Sequence, residues 1–216
     1  MSDQTDSSTQ KLYYDSLSVA RRTSQIVHFV AEHDKVAMFE QIIKNSDKKQ
    51  TVVITKNKRK ADELSAHLKT KEVKAVAIHG NHKAQEYEAS SKVFNALELN
   101  VIITTDAILQ ALSLTDIELI ISYDLPLKVE SYFTRLAELK EIGEAVALVN
   151  QDDESLLGTI ELVMKLEIAR EDVKDFTPSS LSGKKPVKPS KDRTKKPRYS
   201  TQKKKKRAKE KEVSDK

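Results

Sequence analysis

Short apolar runs rich in β-branched side chains alternate with longer segments of helical period along most of this chain, and few architectures accommodate that alternation. Thr51–Thr55 reads TVVIT, residues 101–104 read VIIT and residues 117–122 read IELIIS. Residues 25–31, 73–78 and 145–149 are further candidate strands. Between them lie helix faces: Val36, Phe39, Ile42 and Ile43; Ala61, Leu64 and Leu68; Tyr87, Phe94 and Leu97; Val129, Tyr132, Phe133, Leu136 and Leu139; and Leu156, Leu157, Ile160, Val163 and Met164. Strands that are apolar on both faces, each followed by a helix, require a mostly parallel sheet covered on both sides. The pattern predicts a three-layer α/β domain. In such sheets ligands gather beyond the carboxyl ends of the strands, which directs attention to residues 55–60, 79–82, 104–106 and 123–126.

A length of 216 residues supplies one domain with some chain to spare. The net charge of +5 conceals a split: residues 1–175 carry 22 Lys and Arg against 29 Asp and Glu, whereas residues 176–216 carry 16 against 4. An acidic body of −7 is thus joined to a basic appendage of +12. The appendage contains Pro178, Pro186, Pro189 and Pro197 and almost no large apolar side chains, so it cannot offset its own ordering entropy. Three regions are expected: a polar N-terminal arm over 1–23, a folded domain over 24–175 and a disordered Lys/Arg-rich tail over 176–216. Within the arm, Leu12, Tyr13, Tyr14 and Leu17 could pack a short helix on the body.

Composition excludes several chemistries. With no cysteine there is no disulfide scaffold, no Cys-ligated zinc and no thiol nucleophile, and four glycines leave little from which to build a glycine-rich phosphate cradle. The N-terminal MSDQTDSSTQ has no basic stretch leading into an apolar one, and no run is long enough to span a bilayer. A soluble cytoplasmic protein without a cofactor is expected.

Some residues invite closer reading. Lys56, Lys58, Arg59 and Lys60 stand where a helix should begin, and cations there oppose the helix dipole. Either a bound phosphate compensates them or they form a solvated basic turn. Thr105 and Asp106 follow a buried strand, so either could cap the next helix. His79 and His82 have the spacing of a metal pair but no carboxylate at ligand spacing, and no metal is expected. Asp152, Asp153 and Glu154 are explained by the dipole of the last helix. The tail is the strongest signal. Lys184, Lys185, Lys188, Lys191, Arg193, Lys195, Lys196, Arg198, Lys203, Lys204, Lys205, Lys206 and Arg207 can bind phosphate backbones without folding, or serve as a solubilising or localising segment.

The order and spacing of these segments resemble the C-terminal, RecA-like (P-loop NTPase-type) domain of DEAD-box RNA helicases. The similarity runs from the strand before Asp34-Lys35 to about Glu161 and includes TVVITKNKRKADELSAHL, the His-Gly that ends VKAVAIHG, VIITTD, ISYDLP and ESYFTRL. The resemblance implies a backbone role for His79-Gly80 and RNA contact at Thr105. It adds Gly80, Thr105 and Asp106 to Lys56, Lys58, Arg59 and Lys60 as body positions expected to meet RNA. The departures are equally informative. Ala84 and Tyr87 stand where the family places a Gln and an Arg that grip RNA. Its Thr-Asp-x-x-x-Arg-Gly-x-Asp here ends in Gln110, Ala111 and Ser113, without the arginine, glycine and second aspartate. Its His-Arg-x-Gly-Arg-x-x-Arg becomes Thr134, Arg135, Leu136, Ala137, Glu138, Leu139, Lys140 and Glu141. An arginine that stabilises a transferring phosphoryl group contributes roughly 10³ to 10⁵ in rate, and a glutamate in its place repels that group.

The expectation is a non-catalytic RNA-binding protein on a degenerate helicase scaffold, without the first RecA-like domain, whose RNA partner is structured or ribosomal. Two alternatives stand beside it: an ATP-dependent helicase half acting with a separate first domain, and a module docking on a helicase or ribosome assembly factor. If the tail neutralises about six phosphates, the RNA association constant should fall with salt at a log–log slope near −5. Deleting residues 184–216 should flatten that slope in a salt titration; unchanged affinity would reject the role of the tail.

Overall fold

Each residue of the strand Thr51–Thr55 is buried, which is possible only with neighbours on both edges and cover on both faces. The computed structural model describes residues 17–179 other than 47, 141 and 142. It begins with a helical segment over 17–22 (α1). The chain then alternates β1 (Ser24–Phe29), α2 (Lys35–Asn45), β2 (Thr51–Thr55), α3 (Lys58–Thr70), β3 (Ala75–Ala77), α4 (Ala84–Asn95), β4 (Val101–Thr105), α5 (Asp106–Leu109), β5 (Leu119–Ser122), α6 (Val129–Ala137), β6 (Glu144–Val149), α7 (Glu154–Met164) and β7 (Ala169–Arg170). Short 3-10 turns at Glu32–Asp34 and Gln151–Asp153 lead into α2 and α7. Among the described residues the strands form one sheet in the order β3-β4-β2-β5-β6-β1-β7, and its pairings are all parallel.

Alternation along the strands divides the core. Val53, Ile103 and Ile121 face one layer with Phe39 and Ile42 of α2 and Leu64 and Leu68 of α3. Val52, Ile54, Ile102 and Ile120 point to the opposite side and meet Phe94, Leu109 and Leu112. Beside β1 and β6, Tyr132, Phe133 and Leu136 of α6 pack with Leu157, Ile160 and Met164 of α7 and with Leu17 and Ala20 of α1. The expected three-layer, RecA-like parallel fold is therefore the one observed. Among the described residues no helix is long and apolar enough to cross a membrane.

Local differences have local causes. Leu97, expected on a helix face, lies beyond the end of α4 with a φ of 61° and is 65 % exposed. The strand expected over 73–78 is only Ala75–Ala77, because the amide of Val73 still bonds the carbonyl of Leu68 and so closes α3. The edge strand β7 has no signature in sequence, since two residues carry no period. Packing also continues past 175: Phe176 lies against the core, and Ser179 bonds Asp34. Leu12, Tyr13 and Tyr14 lie outside the described residues, as does the tail from residue 180.

Candidate functional site

The carboxyl ends of β4, β2, β5 and β6 lie side by side along one rim of the sheet. Chain reversal there places Asp106 at the start of α5, Lys56 before α3, Asp124 after β5 and Asp153 before α7. Arg135 approaches from α6. It is 1 % exposed, and its guanidinium forks onto Asp106, Nε donating to Oδ1 at 2.6 Å and Nη2 to Oδ2 at 2.8 Å. Nη1 donates to Ser122 Oγ and to the carbonyl of Asp124, both at 2.8 Å. A bidentate charge-assisted pair of this kind fixes orientation as well as charge.

A second set of contacts adjoins it. Lys35, also 1 % exposed, places Nζ 3.0 Å from Asp124 Oδ1 and 4.9 Å from the centre of the Tyr123 ring. Asp124 Oδ2 accepts the backbone N–H of Lys56 at 3.0 Å, and Lys56 Nζ lies 3.2 Å from Asp153 Oδ1. Asp106 and Asp124 thus each hold a buried cation, and Asp153 holds the exposed Lys56.

This geometry corrects several expectations. At the start of α3 the side chain of Asn57 accepts the N–H of Lys60 at 2.9 Å, a cap supplied by the chain itself. Lys58 donates to Asn81 at 2.9 Å and Lys60 pairs with Glu63 at 3.0 Å, whereas Arg59 has no such partner among the described residues. Thr105 occupies the cap position of α5 without a side-chain cap bond, and the Asp106 carboxylate faces Arg135 instead of a helix amide. Asp152 and Asp153 lie in the 3-10 turn before α7, and Asp153 is turned towards Lys56. Gly80 is not left-handed, and a Cβ there would meet only Ile108 Cδ1 at 4.0 Å. The backbone role implied for this glycine has no counterpart in its surroundings. His79 lies 3.0 Å from Asp62, and the Nδ1 of His82 lies 3.1 Å from the backbone of His79. Among the described residues no group of three or more His, Asp or Glu could hold a metal ion.

Sequence reasoning missed Arg135, Asp124 and Lys35 as a connected group. The available signal was an arginine and a lysine at positions that burial would otherwise forbid. Glu138, three residues after Arg135, is half-buried, and desolvation pushes its carboxyl above the usual range. Glu141 and the thirteen tail cations from Lys184 to Arg207 lie outside the described residues.

Residues 34–137 match the family model for the helicase conserved C-terminal domain. The folded body thus carries a helicase conserved C-terminal domain like those of DEAD-box helicases. The chain is 28 % identical over 129 residues to the DEAD-box ATP-dependent RNA helicase RhpA of Helicobacter pylori strain B128, a match covering 58 % of this chain and 26 % of RhpA. It therefore spans about a quarter of the length of that relative. A DEAD box protein from the hyperthermophile Methanococcus jannaschii superposes with a TM-score of 0.65 at 27 % identity, over 70 % of this chain and 42 % of that one. Escherichia coli SrmB, solved bound to regulator of ribonuclease activity A, shares the fold with a TM-score of 0.67 at 17 % identity, over 73 % and 95 % of the two chains.

Two outcomes follow for this helicase C-terminal domain. Asp106→Ala leaves Arg135 buried without its carboxylate and should cost about 3–5 kcal/mol in denaturant unfolding, with part restored when Arg135→Leu is added. Glu138 binds its proton more tightly folded than unfolded, so its contribution to stability falls as pH rises above 4.5 through the raised folded value. Glu138→Gln should therefore raise Tm at pH 7 and leave it unchanged where the carboxyl is protonated in both states.

Proposed function

We propose that this chain is a non-catalytic, cytoplasmic RNA-binding protein, an accessory to RNA or ribonucleoprotein assembly built on a helicase C-terminal scaffold. The observation that carries this reading is the engagement of Arg135. Among the described residues it makes four hydrogen bonds, to Asp106, Ser122 and Asp124. Turning towards a phosphate would break the bidentate pair that the buried guanidinium makes with the half-exposed Asp106 carboxylate. Glu138 adds a second support, since a glutamate in the register of a family arginine repels a transferring phosphoryl group. RNA as the partner is supported by the kinship with RhpA and by the basic tail. The body's contact with RNA would centre on Arg59, the cation of the α3 start without an internal partner among the described residues, and on the open surface at Gly80.

The acid excess of the body favours a second reading, a docking module for another protein, because a body of −7 repels RNA away from local basic patches. The complex of SrmB with regulator of ribonuclease activity A supports protein partners for this fold. ATP hydrolysis by the purified chain with structured RNA, alone and with a separately supplied DEAD-box first domain, separates these readings from an enzymatic one. No RNA-stimulated turnover is expected in either arm. Turnover that depends on this chain would overturn the non-catalytic assignment.

A further inference from the structure

After β7 the chain runs back over the body as a strap of residues 171–179. Its attachments are few and specific. The N–H of Glu171 bonds the Val27 carbonyl at 3.1 Å, the Glu171 carbonyl lies 2.6 Å from His28 Nδ1, and Asn45 donates to the Lys174 carbonyl at 2.9 Å. Val173 is buried and Phe176 is half-buried against the core. The strap ends on Asp34, whose two carboxylate oxygens are both taken by Ser179: the backbone N–H donates to Oδ2 at 2.9 Å and the hydroxyl to Oδ1 at 2.5 Å.

Asp34 is also the N-cap residue of α2, yet it makes no side-chain cap bond. An aspartate there ordinarily accepts a helix N–H. Here Asp34 belongs to the 3-10 turn that runs into α2 and has helical φ and ψ of −95° and −8°, so its carboxylate is engaged by Ser179 instead. The bonds from Ser179 hold the Asp34 carboxyl below its ordinary range, so it is charged at neutral pH. His33 Nε2, 3.4 Å from Oδ2, is the nearest cation when protonated. Ser179 itself is exposed, and its hydroxyl is the only neutral group of the clasp that can acquire charge by modification.

We propose that Ser179 and Asp34 form a charge-operated latch, in which a phosphoryl group on Ser179 Oγ repels the Asp34 carboxylate and releases the strap. A protein kinase using ATP would form the Oγ–P bond, break the bond from the γ-phosphorus to the β–γ bridging oxygen, release ADP and take the hydroxyl proton on its own base. The resulting near-dianion cannot lie at hydrogen-bond distance from a carboxylate.

The test uses the full chain with phosphoserine installed at position 179, together with Ser179→Ala, Ser179→Glu and the double variant Ser179→Glu, Asp34→Asn. Amide hydrogen exchange over residues 171–178 is read alongside global unfolding. Phosphoserine and Ser179→Glu should speed exchange of the strap about tenfold, leaving the sheet unchanged, whereas Ser179→Ala should speed it less and the double variant should restore most of the protection. A phosphatase should reverse the effect of phosphoserine. Equal acceleration in Ser179→Ala and Ser179→Glu would overturn the proposal, since lost bonding and not charge would then open the strap. Unchanged or increased protection with phosphoserine would overturn it as well, because the phosphate would then be held by the start of α2.

Discussion

A guanidinium cannot be deprotonated to ease its burial, so a fold that encloses Arg135 must also deliver a carboxylate and further acceptors to it. Asp106, Ser122 and the carbonyl of Asp124 meet that demand, and they come from the ends of two strands that are not neighbours in the sheet. The pairing therefore fixes α6 against the carboxyl rim and sets the positions of the loops after β4 and β5 together. Lys35 repeats the logic one step along, tying the start of α2 to Asp124. Asp124 in turn receives the N–H of Lys56 before α3.

The consequence is a rim whose charges are largely matched from within. Three carboxylates at strand ends each hold a cation of the chain itself, and Asn57 caps the helix that follows the basic run. Arg135 and Lys35 are buried against their carboxylates, whereas Lys56 remains exposed beside Asp153.

The fold was legible because its signal is redundant. TVVIT and IELIIS are apolar at successive positions, so both faces must be covered, and helices are the only intervening segments available to cover them. Leu97 and residues 73–78 were misjudged for a shared reason: whether a helix has already closed depends on which amide reaches which carbonyl, and hydropathy does not record that. The site was less legible. The charged motif Lys56 to Lys60 is conspicuous in sequence, yet three of its four side chains have internal partners contributed by Asp153, Asn81 and Glu63. The residue on which the rim depends, Arg135, is a single arginine inside an otherwise amphipathic helix.

Sequence by itself determined the parallel three-layer sheet and the acidic body with its basic appendage, because each is a matter of residue type and spacing. Only the tertiary structure decided which charges face one another. Asp106 and Arg135 are 29 residues apart, and Asp34 and Ser179 are 145 apart. Coulombic and hydrogen-bonding partners are set by distance in space, to which separation along a folded chain is no guide.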